Sequence, residues 1–277
     1  MLQEYNYQEI YLSYALDDYP EDKNYFMHIH DRCEIFFILS GDISYLVEGS
    51  YYNLDSFDLM VMRPAEAHRA KIESSTKYER YVINLPLSFV DQIDPEGRLK
   101  QPFNNRPLGK GNLYHFSEED AGILLKLFQD MNRNTNEYDR NLSIRTHLPL
   151  LLDIIYRKYK EQECLDSMPP SMSERIILYV NKHIYEDLSI PKLASHFYLS
   201  PSQFSRVFKQ ATGSAPWDYI TQKRLTAAKE KIRSGIPAWQ AGTDCGFSDY
   251  STFYRAYRKL YGSAPSKQSS SNINTDR

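Results

Sequence analysis

The chain has 277 residues, which is enough for two domains of about 100–150 residues each. Its three cysteines show no CxxC spacing, which argues against a disulfide framework and against a zinc knuckle. Residues 1–170 carry 18 Lys and Arg against 28 Asp and Glu, whereas residues 171–277 carry 15 against 8, so the last third favours an anionic partner unless the asymmetry is accidental.

The N-terminal segment, MLQEYNYQEIYLSYA, has no positively charged region followed by an apolar run, and therefore does not resemble a signal peptide. No stretch of the chain approaches the ~18 uninterrupted apolar residues that a membrane helix needs. We therefore expect a soluble, cytoplasmic protein with no membrane partner.

Residues 25–85 have the pattern of short strands. The segments ISYLVEG (43–49) and DLMVM (58–62) are rich in β-branched, aromatic and long apolar residues, and turn residues separate them. Closely spaced short strands favour a small antiparallel barrel or sandwich. We predict a barrel at about residues 20–115 within a domain of residues 1–163.

The periodicity becomes helical at Ser117. Ser117 and Asp120 resemble a capping box, which predicts a first helix. A second helix is predicted at about 142–160, although Pro149 would kink it. The helical hairpin at about 117–160 is apolar enough to pack both on the barrel and on a second subunit. The apolar stripe of the first helix is Ile123, Leu124, Leu127, Phe128 and Met131.

Two segments lack the pattern of a folded element. CLDSMPPSMS (164–173) is predicted to be a linker, because its two prolines block helix and ladder continuation. Residues 266–277 are rich in serine and polar residues, and are predicted to form a disordered tail.

The strongest signal in the sequence is an internal repeat. Residues 204–216, FSRVFKQATGSAP, return 49 positions later as FYRAYRKLYGSAP at 253–265. Each copy predicts a short helix with one buried aromatic face and one exposed face of hydroxyl and basic groups. Gly213 and Gly262 suit the left-handed position that ends a helix.

A shorter helix is predicted before each copy, and a helix of ~5 turns from Trp217 to Ser234 joins the two units. A helix, a tight turn and a second helix that exposes Ser, Arg and Lys are typical of a helix-turn-helix unit. The alternative is a helical repeat for protein contacts, which the duplicated basic faces disfavour. We predict an all-α domain at residues 174–265.

Residues 174–265 resemble the DNA-binding domain of the AraC/XylS family of transcription regulators. The matching motifs are L-A-x5-S at 193–200, F-S-R-V-F-K at 204–209, R-L-x2-A at 224–228, G-F-S-D at 246–249 and G-x2-P at 262–265. The resemblance implies double-stranded DNA as a partner. It implies that the residues facing the bases are Ser202, Ser205, Arg206, Tyr250, Ser251, Tyr254 and Arg255, and that Lys209 and Arg258 lie nearer the phosphates.

One position departs from the family pattern. Ala241-Gly242 stands where the family usually has Ile-Ala, and glycine costs roughly 1 kcal/mol in a helix interior relative to alanine. We therefore expect the second unit to be less stable, or to bind DNA more weakly, than the first.

The N-terminal domain contains two groups of histidine and acidic residues. The first group, from His28 through His30 and Glu34 to Gly41, resembles the first cupin motif. Asp58, Pro64 and His68 resemble part of the second, which lacks its usual glycine and terminal asparagine. The resemblance implies an effector pocket, whose candidate residues are His28, His30, Glu34, Tyr45 and His68. His28, His30, Glu34 and His68 are also candidates for a metal site, but we expect neither a metal nor another cofactor.

The predicted fold class is a multidomain β + α protein. An N-terminal cupin-like antiparallel β-barrel with a helical hairpin precedes a C-terminal all-α domain of two helix-turn-helix units joined by a long helix. The predicted function is a homodimeric, sequence-specific transcription regulator without enzymatic activity, controlled by a small-molecule effector. Family analogy suggests a sugar as effector and RNA polymerase as a further partner. A metal-dependent cupin enzyme with a vestigial DNA-binding domain and an effector-independent DNA-binding dimer remain alternatives.

Overall fold

The computed structural model describes residues 2–7, 9–133, 136–162 and 171–265. The chain divides into two compact units. The described residues up to 162, apart from 29–31, form the first unit, and those from 171 onward, together with 29–31, form the second. Most of the predicted linker and the whole predicted tail lie outside the described residues. Ser171, the first described residue after the gap, caps a helix.

The described part of the N-terminal unit contains nine strands in two antiparallel sheets. The strands are β1 (Leu2–Tyr7), β2 (Ile10–Asp17), β3 (Cys33–Ser40), β4 (Ile43–Val47), β5 (Ser50–Asn53), β6 (Leu59–Met62), β7 (His68–Ile72), β8 (Tyr78–Leu85) and β9 (Leu113–Tyr114). One sheet has the order β1-β2-β8-β3-β6-β9 and the other the order β5-β4-β7. The antiparallel β-rich domain is confirmed, but over the described residues it consists of two sheets instead of one closed barrel.

The larger sheet carries apolar residues on both of its faces, because other parts of the unit cover both faces. On β3, Phe36 and Ile38 pack with residues of the smaller sheet, whereas Ile35 and Phe37 pack with the helices. Successive residues of a strand point to opposite faces, so alternate residues of β3 enter two different cores.

The helices of the first unit cover the outer face of the larger sheet. They are α1 (Leu87–Ile93), α2 (Gln101–Asn104), α3 (Glu118–Met131) and α4 (Glu137–Gln162). Ser117 caps α3 by accepting a hydrogen bond from the Asp120 amide at 3.2 Å, which confirms the predicted helix start. Ile123 departs from the predicted stripe, since its side chain is 48% exposed.

The second predicted helix is longer than expected. α4 begins five residues before position 142 and passes through Pro149 without ending. Proline removes one backbone hydrogen bond from a helix. The buried residues Leu148, Leu151 and Leu152 flank this position and hold the helix against the core.

The described part of the C-terminal unit contains helices only. They are α5 (Met172–Lys182), α6 (Ile190–His196), α7 (Pro201–Thr212), α8 (Pro216–Arg233), α9 (Ala238–Asp244) and α10 (Tyr250–Tyr261). Gly213 and Gly262 end α7 and α10 with φ of 74° and 68°, as predicted. The order α6-α7, α8, α9-α10 is that of two helix-turn-helix units joined by a long helix, which confirms the predicted architecture. Among the described residues, no helix is both long and apolar enough to cross a membrane.

Candidate functional site

The outer face of α7 carries four of the residues that the family resemblance predicts to face DNA. Ser202, Arg206 and Lys209 are exposed, and Ser205 is half-buried. On the opposite side Phe204 and Phe208 are completely buried. Because the aromatic face is anchored in the core, the hydroxyl and basic face must point outward.

The start of α7 is held by its own side chains. Ser200 accepts a hydrogen bond from the Gln203 amide at 3.3 Å, and Gln203 Oε1 accepts one from the Ser200 amide at 3.0 Å. This reciprocal cap holds the Gln203 side chain at the start of the helix. Pro201 occupies the first helical turn, where its missing N–H costs nothing.

The outer face of α10 is arranged in the same way. Tyr250, Ser251, Arg255 and Arg258 are exposed, and Tyr254 is half-buried. Phe253 and Tyr257 are completely buried on the inner side. The nine residues predicted to face DNA therefore lie on the outer faces of two helices with matching inner faces.

Asp249 caps α10. Its carboxylate accepts hydrogen bonds from the Thr252 amide at 2.7 Å and the Thr252 hydroxyl at 2.8 Å. These hydrogen bonds lower the pKa of Asp249 below its usual value. Thr252 is thus tied to the helix start, as Gln203 is in α7.

A buried polar cluster lies in the N-terminal unit. Tyr45 OH donates to Glu34 Oε1 at 3.2 Å, and His68 Nε2 lies 3.5 Å from Glu34 Oε2. His68 Nδ1 bonds the Glu66 carbonyl at 2.7 Å, and the Tyr45 and His68 rings stack with centroids 6.2 Å apart. Burial opposes protonation of His68, but the Glu34 carboxylate outweighs it and raises the pKa of His68.

The other two pocket candidates are more open than this cluster. The His28 side chain is exposed, although its backbone exchanges two hydrogen bonds with His68, at 2.8 and 3.0 Å. His30 is half-buried. Because residues 29–31 are grouped with the second unit, His30 is described apart from the cluster of Glu34, Tyr45 and His68.

Two family profiles match the chain. The profile of the helix-turn-helix domain matches residues 193–269. The profile of the AraC-like ligand binding domain matches residues 11–151, which is half of the chain. The chain belongs to the AraC/XylS family of transcription regulators. Its helical unit is accordingly a DNA-binding domain, and its β-rich unit belongs to the ligand-binding domains of the family.

The chain is also similar to individual proteins, over part or most of its length. The probable transcriptional regulator LumQ of Photobacterium leiognathi is 38% identical over 90 residues, which are 32% of this chain and 36% of LumQ. The HTH-type transcriptional regulator YfiF of Bacillus subtilis is 24% identical over 253 residues, which are 87% of this chain and 78% of YfiF. The crystal structure of ToxT from Vibrio cholerae aligns with 93% of this chain and 97% of its own at 14% identity, with a TM-score of 0.39.

Arg224 is a buried residue of this AraC/XylS-family domain for which no role was predicted from the sequence. It lies on α8, and its guanidinium donates to the carbonyls of Ile184 and Glu186, both at 2.7 Å, and of Gly246 at 2.6 Å. These hydrogen bonds connect the segment that follows α5 to the turn of the second helix-turn-helix unit. The sequence could have indicated a buried role for Arg224, because this charged residue lies on the apolar stripe of α8, four residues after Ile220 and four before Ala228.

Gly242 is the position at which this regulator departs from the family pattern. It is buried in α9, and a Cβ atom built on it would lie 2.8 Å from Phe253 Cγ and 2.9 Å from Phe253 Cδ1. The missing side chain lets α9 approach α10 closely. The expectation of a weaker second unit rested on helix propensity alone and omitted this contact.

Gly242→Ala should therefore destabilise the C-terminal unit by about 1–3 kcal/mol, the usual cost of overpacking. Helix propensity alone would give a gain of about 1 kcal/mol. Urea unfolding followed by the fluorescence of Trp217 and Trp239, the two tryptophans of the chain, reports on this unit.

The matched control is Gly122→Ala in α3, where an added Cβ meets no atom within 4 Å. It should stabilise the N-terminal unit, whose unfolding is followed by circular dichroism, by up to about 1 kcal/mol, as propensity predicts. A Gly242→Ala variant as stable as the parent would contradict the packing argument.

Proposed function

We propose that this regulator reads two neighbouring segments of the major groove with α7 and α10, under the control of a small molecule bound in its N-terminal unit. The observation that carries the proposal is the matched pair of helices, each with buried aromatic residues behind an exposed hydroxyl and basic face. Arg206 and Arg255 occupy the same position of their helices, where a guanidinium can bond guanine O6 and N7 together. Lys209 and Arg258 follow one turn later and neutralise phosphates.

The effector site that we propose contains the buried cluster of Glu34, Tyr45 and His68, with His28 and His30 as further candidates. A carboxylate, a phenol and an imidazole suit a ligand rich in hydroxyl groups, and a sugar is the effector class that family analogy suggests. The ligand must bind one conformational state of the regulator better than another, since only differential affinity shifts an equilibrium.

The regulator is proposed to act as a homodimer in the cytoplasm, where its DNA is, with RNA polymerase as a further partner and with no catalytic role. The relatives named as transcription regulators support the last point. Exposed apolar side chains on the hairpin support the dimer, because Ile123, Leu142 and Leu150 are each about half exposed on α3 and α4.

The experiment that tests the proposal compares the affinity of the full chain for its own upstream region with its affinity for random duplex, across a salt series. A preference above ~10³-fold with a steep salt slope is the expected result. Weak binding that ignores sequence, with and without metabolite mixtures, would overturn it.

Arg206→Ala should weaken binding to the preferred duplex by about 1–3 kcal/mol, roughly 5- to 150-fold, and should relax the base preference at one position. Lys209→Ala, one turn along the same helix, should weaken preferred and random duplexes alike, because a phosphate contact carries no sequence information. Fluorescence anisotropy titrations measure both. Equal losses of Arg206→Ala on both duplexes would contradict base reading by this arginine.

Effector binding is tested by thermal stabilisation of the full chain with a metabolite set. A ligand at about 100 times its Kd should add roughly 2.7 kcal/mol to the free energy of unfolding. Stabilisation by Zn²⁺ or Mn²⁺ alone, and by no organic compound, would favour a metal at Glu34 and His68 in place of the effector.

A further inference from the structure

The two DNA-facing helices match position by position from their first residue. Ser202 corresponds to Ser251, and Arg206 corresponds to Arg255. Lys209 corresponds to Arg258. The third positions, Gln203 and Thr252, are both engaged in the helix caps, through Oε1 of Gln203 and the hydroxyl of Thr252.

The two outer faces differ most at two positions. Where α7 has Pro201 and Ser205, α10 has Tyr250 and Tyr254. The rings of Tyr250 and Tyr254 lie side by side, with centroids 6.1 Å apart and planes tilted by 48°. The Tyr250 side chain is 45% exposed. The second helix therefore carries an aromatic pair one and five residues before Arg255, whereas the first carries a serine and a proline at the same distances before Arg206.

Tyrosine and serine side chains suit different contacts in the major groove. Thymine is the base that places a methyl group there, and apolar side chains, aromatic ones included, contact that methyl group. A serine hydroxyl instead bonds polar base edges or phosphates. An aromatic pair of this kind can bury a methyl group, and a guanidinium can bond a guanine.

We propose that Tyr250 and Tyr254 make the second helix-turn-helix unit a reader of thymine methyl groups, so that its half-site combines thymine with the guanine bonded by Arg255. The first unit reads a half-site without this dependence on the methyl group. The inference rests on the proposed function, because it assumes that α7 and α10 both enter the major groove.

The test begins with duplexes selected from a random library by the full chain. Arg255→Ala then marks the half-site of the second unit as the one in which the preference for a guanine relaxes. In each half-site separately, thymines are replaced by deoxyuridine, which removes the methyl group and keeps the base pair. We expect affinity to fall about fourfold per contacted methyl in the second half-site, the factor for burying one methyl group, and to stay unchanged in the first.

Two variants separate a methyl contact from a structural role of the side chain. Tyr254→Ser, which installs the residue of the matching position in α7, should bind thymine and uracil duplexes with closely similar affinity. Tyr254→Phe should retain the full difference, since the hydroxyl takes no part in the methyl contact. Affinity for random duplex serves as the measure of intact folding and should be the same for both variants and the parent.

The outcomes distinguish this inference from the function on which it rests. If the library yields no preferred sequence, the proposed function itself fails. If it yields guanine-containing half-sites in which uracil is tolerated everywhere, or in which Tyr254→Phe loses affinity for thymine and uracil duplexes alike, the reading of methyl groups is overturned and the regulator remains sequence-specific.

Discussion

Replacing Arg106 with methionine should lower the free energy of unfolding of the N-terminal unit by about 3–5 kcal/mol, the cost of breaking a buried ion pair by removing one partner. Arg106 donates two parallel hydrogen bonds to Glu66, from Nη1 to Oε1 at 2.8 Å and from Nη2 to Oε2 at 2.6 Å. The two side chains are 3% and 0% exposed. Burial alone would raise the pKa of Glu66, but Arg106 outweighs it and lowers this pKa to about 2.

The same pair organises the segment that leads into β9. Arg106 also donates to the carbonyls of Pro102 at 2.9 Å and Val61 at 3.1 Å. Glu66 accepts from the Gly109 amide and from Asn112 Nδ2, both at 3.0 Å. Removing the guanidinium therefore leaves the buried carboxylate with Arg63 as its remaining cationic partner, with Nε 3.5 Å from Glu66 Oε1, and also frees the chain around it.

Arg98→Met is the matched control, because Arg98 forms an ion pair of the same length, 2.6 Å, with Glu96 while the two side chains are 64% and 71% exposed. Exposed pairs contribute at most about 1 kcal/mol. Both tryptophans lie in the C-terminal unit, so tryptophan fluorescence reports only the unfolding of that unit. Unfolding of the N-terminal unit is followed by circular dichroism, as the transition that has no counterpart in the fluorescence. Similar small losses for the two variants would show that the buried pair does not hold this unit together.

Arg224→Met should have an effect of comparable size on the C-terminal unit, about 3–5 kcal/mol. Hydrogen bonds from a charged donor contribute about 1.5–3 kcal/mol each, and methionine leaves three carbonyls without that donor. We expect the loss in the fluorescence transition, together with weaker specific DNA binding, because the Gly246 carbonyl lies in the turn that precedes α10.

Arg233→Met on the same helix provides the comparison for this second prediction. Arg233 is 48% exposed and pairs with Glu230 at 3.2 Å, so its replacement should cost at most about 1 kcal/mol. If Arg224→Met unfolds at the same urea concentration as Arg233→Met, the three carbonyl contacts contribute little to stability.

Features encoded by neighbouring residues were predictable from the sequence. The ends of α7 and α10 follow from Gly213 and Gly262, and the start of α3 follows from Ser117, because a cap or a left-handed residue acts within a few positions. The outward faces of α7 and α10 were equally accessible, since a period of 3.6 residues assigns inner and outer positions once the aromatic residues are known to be buried.

Features that depend on distant residues were not predictable in this way. Arg106 and Glu66 are 40 positions apart, and the residues around either one do not predict its pairing with the other. Strand pairing decides the burial of the histidines: His68 on β7 is completely enclosed, whereas His28 is exposed although the two backbones are hydrogen-bonded. The separation into two sheets likewise depends on hydrogen bonds between strands far apart in the chain.

The 18-residue helix α8 joins the two helix-turn-helix units without a break, from Pro216 to Arg233. Its side chains Tyr219, Ile220 and Leu225 are buried along its length, so it acts as a stiff spacer. In B-form DNA one additional base pair moves a half-site by about 3.4 Å along the axis and about 35° around it. A stiff spacer cannot follow that screw displacement, so a regulator that reads two half-sites as proposed also requires a fixed helical phase between them.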